Sequence, residues 1–389
     1  MNISINNADK SHTLNQSKIA FKGYDARSLS AVVMTVNDEP DSFEIIKQMS
    51  EIGKKEGFRV YFTNQTNKLY ANLDSIKKFF KICTFGFAKW AQDMAVLTPE
   101  NKVLQDSLRI DSDFARRVAT LTKGKYTDCE NYIEGGNLFF VKNNGKEELF
   151  VGANELLKNS VDSLKQKYGV SKVIPLPQAD FHLDLFIRPL NNKKVLVADD
   201  RLTIKAIRKA IENIGKYKIS QKCTKEEIKE LDDVKSGLKL LLKDFEKDVK
   251  KGKNPKAYEI ASVLKNNGYT PIFVPGRVYY SIPAARKDDL VHYLNYMNAV
   301  VHQKNDGSLV FITNKSNLNK YYGLTPEISE KIGFDFEKMF TDALKPYVKK
   351  ENIYFIEGRS GKIAELLENE GGGIHCMCNE IPAEFVRKT

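Results

Sequence analysis

The sequence lacks three features that would each place it in a broad class of protein. It has no run of about 18 consecutive apolar residues, which predicts that no helix spans a membrane. Its first residues are polar and include no apolar segment of a signal peptide, so we expect a cytoplasmic protein or one exported without a cleavable signal peptide. Its five cysteines are odd in number and irregularly spaced, which excludes a disulfide scaffold and favours a reducing compartment.

The charge of the chain is high but is not gathered into one tract. Charged residues make up 29% of the chain and give a formal net charge of +11, yet lysine is interleaved with glutamate and aspartate. That pattern is typical of solvated helix faces, so we expect no nucleic-acid partner. Hydrophobic residues make up 42%, which is enough for a large core in one α/β domain.

Short strand-like runs alternate with amphipathic helical runs after a polar start. Residues 1–18 are rich in Asn, Ser and Lys and are predicted to be a disordered tail, whereas residues 19–389 are predicted to form a single domain. The recurring unit is two strands, a helix and a strand over roughly 60–80 residues, and self-similarity on that scale predicts a pseudo-symmetric, propeller-like array.

One segment, residues 218–257, interrupts this rhythm with a high density of Lys, Asp and Glu. Apolar residues recur in it at spacings of three or four, which predicts an amphipathic helix: Leu231, Val234, Leu238, Leu241 and Phe245. We interpret the segment first as a helical insertion packed on the surface of the domain. The alternatives are a docking element for a protein partner or a cap over an active site.

Polar residues with catalytic chemistry occur in three short segments. The run FHLDLFI at 181–187 is typical of a strand, in which His182 and Asp184 would share one face while the intervening apolar side chains face the core. Taken alone, this pattern favours a hydrogen-bonded histidine on an edge strand over a catalytic one.

Asp93 lies among apolar residues just before a predicted strand. It is either a cap of the loop or a buried anion with a cationic partner. Glu134 precedes a Gly-Gly turn, which is either an ordinary turn or a place where a ligand approaches the backbone closely.

The segment GGGIHCMCNEIP at 371–382 has three interpretations: a metal site, a Cys-x-Cys redox pair, or the position of one reactive thiol. A zinc site needs further Cys or His ligands at suitable spacings, and the rest of the sequence offers no second cysteine pair. We therefore favour a single thiol and expect neither a metal nor a cofactor. One thiol, one histidine and several carboxylates suit a flat cation, because a guanidinium group pairs bidentately with carboxylates.

These segments resemble the signature motifs of the guanidino-group-modifying enzyme superfamily, and they occur in the family's order. The superfamily includes arginine, agmatine and peptidylarginine deiminases, dimethylarginine hydrolases and amidinotransferases. The matching segments are WAQD at 90–93, EGGN at 134–137, HLD at 182–184, YMN at 296–298 and GGGIHC at 371–376. Gln92 stands where many members have Arg, and Cys378 stands where Thr is common.

The resemblance implies a fold and a set of roles. The expected fold is the pentein, a five-bladed α/β propeller of ββαβ-type repeats with pseudo-five-fold symmetry, here with the helical insertion. Cys376 would be the nucleophile and His182 the general acid and base. Glu134 would either orient His182 or help to hold the cation. The expected substrate contacts are Asp93, Asp184, Asn298 and Trp90. His375 is expected to be structural, and Cys378 would lie on the same side as Cys376 if the segment is extended.

The resemblance also implies a reaction. The leading hypothesis is a hydrolase that acts on the guanidino group of arginine, agmatine or protein arginine, and forms a ureido product through a covalent thiouronium intermediate. The first alternative is an amidinotransferase, which uses the same cysteine and histidine but transfers the amidino group to an amine. A less favoured alternative is a non-catalytic pentein that only binds its partner.

Overall fold

A computed structural model of the chain describes eight segments: residues 26–35, 40–63, 91–107, 113–178, 182–249, 256–279, 293–357 and 373–386. The predicted disordered tail at 1–18 and the predicted contact residue Trp90 lie outside these residues.

Strands are short and are distributed over the whole described chain. In chain order they are β1 Leu29–Thr35, β2 Arg59–Thr63, β3 Val96–Leu97, β4 Lys102–Asp106, β5 Lys125–Cys129, β6 Leu138–Asn143, β7 Lys146–Gly152, β8 Lys172–Leu176, β9 Ile187–Pro189, β10 Lys194–Ala198, β11 Thr270–Val274, β12 Arg277–Tyr279, β13 Tyr293–Asn295, β14 Val300–Gln303, β15 Leu309–Asn314, β16 Ile353–Ile356 and β17 Cys378–Pro382.

The α-helices follow the middle strands of the sheets. They are α1 Pro40–Glu56, α2 Phe114–Thr122, α3 Val161–Tyr168, α4 Asp200–Ser220, α5 Lys225–Asp248, α6 Ala257–Asn266, α7 Leu318–Tyr321, α8 Pro326–Ile332 and α9 Phe336–Leu344. None of these described helices is both long enough and apolar enough to cross a membrane.

Five of the sheets in the described residues have three strands and one common topology. In each, the middle strand pairs antiparallel with one neighbour. It pairs parallel with the other neighbour, which it reaches through a helical crossover. Their strand orders are β3-β4-β5, β6-β7-β8, β9-β10-β11, β14-β15-β16 and β17-β1-β2. The predicted unit of two strands, a helix and a strand is therefore confirmed, and the five-bladed propeller stays a prediction.

Local sequence explains the hairpin between β6 and β7. Asn144 and Gly145 both have positive φ angles, of 51° and 80°, which is the backbone that a tight two-residue hairpin turn requires and that Asn-Gly adopts readily. The turn pairs Asn143 with Lys146 and sets the register along the whole hairpin. Three successive residues of β7, Leu149, Phe150 and Val151, are fully buried, so both faces of this strand are covered.

Helix α5 has the apolar face that its sequence predicts. Its five periodic apolar residues are all buried in one core cluster with residues of α4, α8 and α9: Leu231, Val234, Leu238, Leu241 and Phe245. Thr224 caps the helix, since its side chain accepts from the backbone N–H of Glu227 while the Glu227 carboxylate accepts from the backbone N–H of Thr224. The helix thus packs on the rest of the described chain.

One predicted helix differs in its extent. The sequence pattern predicts one continuous helix over residues 154–168. The structure instead has a 3₁₀ helix, Ala153–Leu157, followed by α3. Ser160 causes the break, because its hydroxyl accepts from the backbone N–H of Ser163 at 3.1 Å and so begins a new helix.

Candidate active site

The structure brings together side chains that are far apart in the sequence. One ligating atom from each of His182, Asp184 and Cys376 lies within 4.8 Å of the other two, and the same holds for Asp93, Glu134 and His182. The two groups share His182, so five of the sequence-predicted residues form one cluster. His182, Asp184, Cys376 and Asp93 are buried, whereas the side chain of Glu134 is 44% exposed.

Each predicted site segment stands just before the first strand of a three-stranded sheet. Asp93 ends a 3₁₀ turn ahead of β3, and Glu134 precedes the 3₁₀ turn that leads into β6. The remaining segments precede β9, β14 and β17, with His182 and Asp184 in the first of these, Asn298 in the second and Cys376 in the third. The common topology therefore repeats a polar position at the same place in all five units.

The strand predicted for residues 181–187 is wrong. His182 is extended, but Leu183–Leu185 forms a 3₁₀ turn, and β9 begins only at Ile187. The side chain of Asn137 accepts from the backbone N–H of Leu183 at 3.2 Å. A side chain, and not a neighbouring strand, therefore provides the hydrogen-bond partner for this backbone N–H. His182 and Asp184 nevertheless reach the same cluster.

His182 is held against Glu134 by a hydrogen bond of 2.9 Å from its Nε2 atom. Burial opposes the charged form of His182, but the bond to Glu134 and the charges of Asp184 and Asp93 raise its pKa to about 9. The imidazole is therefore protonated at neutral pH. Gly136 leaves room for it, because a methyl group at that position would overlap the imidazole ring.

The two aspartates of the cluster have opposite pKa shifts. Burial and the nearby carboxylates raise the pKa of Asp93 to about 7, against the opposing charge of His182. Burial also acts on Asp184, but hydrogen bonds and the histidine charges outweigh it and lower the pKa of Asp184. Asp184 is therefore the permanent anion of the site, and Asp93 titrates near neutrality.

Asp184 Oδ2 accepts three hydrogen bonds. They come from Asn298 Nδ2 at 2.8 Å, from His375 Nδ1 at 2.9 Å and from the Cys376 thiol at 3.4 Å. Its other oxygen, Oδ1, is buried and accepts from no donor among the residues that the structure describes. A buried carboxylate oxygen of this kind is costly unless a ligand supplies the donor.

Asn298 connects the nucleophile to Asp184. Its Oδ1 atom accepts from the backbone N–H groups of His375 at 2.8 Å and Cys376 at 3.2 Å, and its Nδ2 atom lies 3.0 Å from Cys376 Sγ. The chain at Gly373 passes so close that a Cβ there would lie 2.6 Å from Asn298 Oδ1. The YMN segment thus supplies a residue that contacts the predicted nucleophile directly.

The Cys376 thiol is buried, and burial together with Asp184 and Asp93 raises its pKa well above the ordinary value. Among these neighbours the thiol is therefore protonated at neutral pH. The Cys378 thiol does not lie on the same side as the Cys376 thiol. The backbone between them turns, because the N–H of Cys378 donates to the carbonyl of His375 at 2.9 Å. The Cys378 side chain packs in the core beside Met34 and Phe62, so the extended segment that would place both thiols on one side does not form.

Sequence reasoning assigned His375 only a structural role and did not identify its partners. His375 holds Asp184, and the side-chain amide of Gln92 lies 2.9 Å from the same Nδ1 atom. The ring stacks on Phe139 at a centroid distance of 5.9 Å. The sequence around His375 carries no signal for these partners, because Asp184 and Gln92 are 191 and 283 residues away along the chain.

The same donor atoms are of types that zinc accepts, namely thiolate sulfur, imidazole nitrogen and carboxylate oxygen. Metal ligands must be deprotonated, however, and the raised pKa values of His182 and Cys376 oppose that. The expectation that the site uses no metal stays a prediction.

No protein-family model matches the sequence, and no curated protein matches it. Among solved structures, agmatine deiminase from C. jejuni has a TM-score of 0.50 at 15% identity, with 92% of this chain and 95% of that chain covered. A C. jejuni cysteine-to-serine agmatine deiminase with substrate bound has a TM-score of 0.49 at 14% identity, with 92% and 94% covered. ArgZ, an arginine dihydrolase from the ornithine-ammonia cycle in cyanobacteria, has a TM-score of 0.39 at 12% identity, with 91% and 39% covered.

The first of these likenesses shows the fold. The chain has the fold of the C. jejuni enzyme, which is one of the guanidino-modifying pentein enzymes that the sequence motifs resemble. The resemblance is therefore confirmed at the level of the fold.

Proposed function

We propose that the protein is a cysteine-dependent hydrolase of the guanidino group of arginine or an arginine derivative. The observation that carries the proposal is Asp184 Oδ1, a buried acceptor without a donor among the described residues, next to a thiol and a protonated histidine. A guanidinium group supplies N–H donors in a plane and a positive charge, and its central carbon is the electrophile that a thiolate attacks.

The charges of the site residues support a cationic substrate. Asp184 and Asp93 both raise the pKa of the Cys376 thiol. A guanidinium bound between these aspartates offsets their charge, so the thiol loses its proton to solvent only when the substrate is present. The reactive thiolate therefore forms where the substrate lies, and the resting enzyme keeps an unreactive thiol.

The proposed reaction proceeds in two stages. Cys376 Sγ attacks the guanidinium carbon, and the tetrahedral adduct expels an amine that receives its proton from His182, which releases ammonia and leaves a thiouronium on Cys376. The neutral His182 then removes a proton from water, whose oxygen attacks the same carbon. The C–S bond breaks, and the products are a ureido group and the Cys376 thiolate. Glu134 holds the imidazole in place through both stages by its hydrogen bond.

We also propose that the five three-stranded sheets are blades of a five-bladed propeller with the site at its centre. Two observations support this arrangement. The sheets share one strand order, and each is preceded by a segment that contributes to the site: four of the segments supply the cluster residues, and the segment before β14 supplies Asn298, which donates to Asp184. A crystal structure in which the five sheets are not related by successive rotations about one axis would contradict it.

The reaction is tested by measuring ureido product and ammonia from arginine, agmatine and an arginine-containing protein in parallel, each with and without an added amine. We expect ureido product from at least one substrate, and none from the Cys376→Ala variant. An amidino group recovered on the added amine would identify an amidinotransferase instead. Turnover of no substrate by the native protein, or full activity of Cys376→Ala, would sink the hydrolase assignment.

A further inference from the structure

Asn314, the last residue of β15, joins two segments that come from distant parts of the sequence. Its Oδ1 atom accepts from the backbone N–H of Ile374 at 3.0 Å, and its Nδ2 atom donates to the backbone carbonyl of Asn295 at 3.3 Å. Its side chain is buried, with 5% of the residue exposed. Ile374 lies two residues before the nucleophile, and Asn295 begins the turn that carries Asn298.

That turn is itself held by a side chain. Asn295 Oδ1 accepts from the backbone N–H groups of Met297 at 3.0 Å and Asn298 at 3.2 Å, which fixes the direction in which the Asn298 side chain leaves the backbone. The two segments then meet through Asn298, whose amide contacts both the backbone N–H and the thiol of Cys376.

We propose that Asn314 is a positioning residue for the nucleophile. It contacts neither the thiol nor Asp184 through any described hydrogen bond, but it sets the distance between the Asn295–Asn298 turn and the Ile374–Cys376 segment. A displacement of about 1 Å between reacting groups can cost about 100-fold in rate, so a bond of this kind controls catalysis without touching substrate. The proposal rests on the proposed role of Cys376 as the nucleophile.

The chain offers a matched control for Asn314. Asn352 has the same exposed fraction, 5%, and lies next to β16 in the same sheet. It also makes two hydrogen bonds, to the backbone carbonyl of Leu309 at 3.1 Å and from Lys304 Nζ at 3.0 Å. Asn352→Ala therefore removes a buried asparagine of equal burial that is bonded away from the site.

The first experiment compares Asn314→Ala and Asn352→Ala by kcat and by alkylation of Cys376 with 2-chloroacetamidine. This compound is a planar cation with an alkylating carbon, so the thiolate forms a C–S bond and displaces chloride. We expect Asn314→Ala to reduce kcat and the alkylation rate by about 10-fold or more, Asn352→Ala to change both by less than about 2-fold, and KM to change little. Equal rates in the two variants would overturn the proposal.

The second experiment tests whether Asn314 acts through Asn298. Neighbouring residues of one network have non-additive effects, so Asn314→Ala should slow alkylation little further when Asn298 is already alanine. A full additional loss in that background would contradict the proposal. Should Asn314→Ala fail to fold, the isosteric Asn314→Asp replaces it, because it keeps the acceptor for Ile374 but removes the donor to Asn295. Native alkylation rates in Asn314→Asp would equally overturn the proposal.

The controls separate this inference from the proposed function. If the native protein neither turns over a guanidino compound nor is alkylated at Cys376, the proposed function fails. If the native protein reacts and Asn314→Ala behaves as Asn352→Ala does, the positioning role alone fails.

Discussion

At the scale of single residues, the candidate site is defined by groups whose pKa values are shifted by burial and by their neighbours. The pKa of His182 is raised, so that it is charged at neutral pH; the lowered pKa of Asp184 and the raised pKa of Cys376 keep the first ionised and the second neutral over a wider range of pH than in water. These states are complementary to a planar cation, since two aspartates lie beside the thiol and the thiol needs positive charge nearby to ionise.

The pH dependence of kcat/KM should be bell-shaped, with its maximum between pH 7 and pH 9. Below about pH 7, Asp93 becomes protonated and no longer holds the cation, so the rate falls as pH decreases. Above about pH 9, His182 loses the proton that it must give to the leaving amine, so the rate falls as pH increases. Initial rates measured from pH 5 to pH 11 at low substrate concentration, on the order of a tenth of KM, test this. A rate that rises steadily across that range would contradict the role of His182 as the acid.

Glu134→Gln should move the alkaline limb of this profile to lower pH. The glutamine keeps a hydrogen-bonding group but removes the charge that stabilises protonated His182, so the pKa of His182 falls. Glu155→Gln is the matched control, since the Glu155 carboxylate accepts from Asn137 at 2.8 Å and not from His182. An alkaline limb that stays in place in Glu134→Gln would show that Glu134 does not set the charge of His182.

At the scale of elements, the sequence predicted the repeated unit of two strands, a helix and a strand, but not the contacts between the elements. The helix of α5 was identifiable because its apolar spacing is a local property. The 3₁₀ turn at Leu183–Leu185 was not, since it depends on the side chain of Asn137, which is 46 residues earlier. The supporting roles of Asn295 and Asn314 have the same origin, because no local pattern shows which backbone groups a distant asparagine meets.

Helix α5 gives a prediction for stability at this scale. Leu238 is fully buried in the cluster shared with α4, whereas Leu240, two residues later, is 61% exposed. Leu238→Ala should lower the free energy of unfolding by about 2–5 kcal/mol, and Leu240→Ala should change it little. Chemical denaturation of the two variants tests this. Equal stabilities would mean that α5 does not belong to the cooperative core.

At the scale of the whole molecule, the two ends of the described chain meet in one sheet. Strand β17, close to the C-terminus, pairs antiparallel with β1, so the segment with the nucleophile is fixed by a strand from the opposite end of the sequence. The family motifs identified the site residues in their order, but this closure depends on pairing across nearly the whole chain. No periodicity in the sequence shows it.

A buried arginine reinforces this closure and gives the last prediction. The side chain of Arg27 is fully buried just before β1, where it pairs with Glu147 of β7 at 2.6 Å and with Glu384 after β17. Arg27→Ala removes a buried cation from between two largely buried carboxylates, of which Glu147 also has Lys142 at 3.8 Å. It should therefore lower the free energy of unfolding by about 3–5 kcal/mol. Arg208→Ala removes an arginine that is 58% exposed and paired with Glu246, and it should have little effect, because exposed pairs contribute little. Thermal and denaturant unfolding of both variants measure the difference, and similar losses from the two substitutions would show that Arg27 does not hold the ends of the chain together.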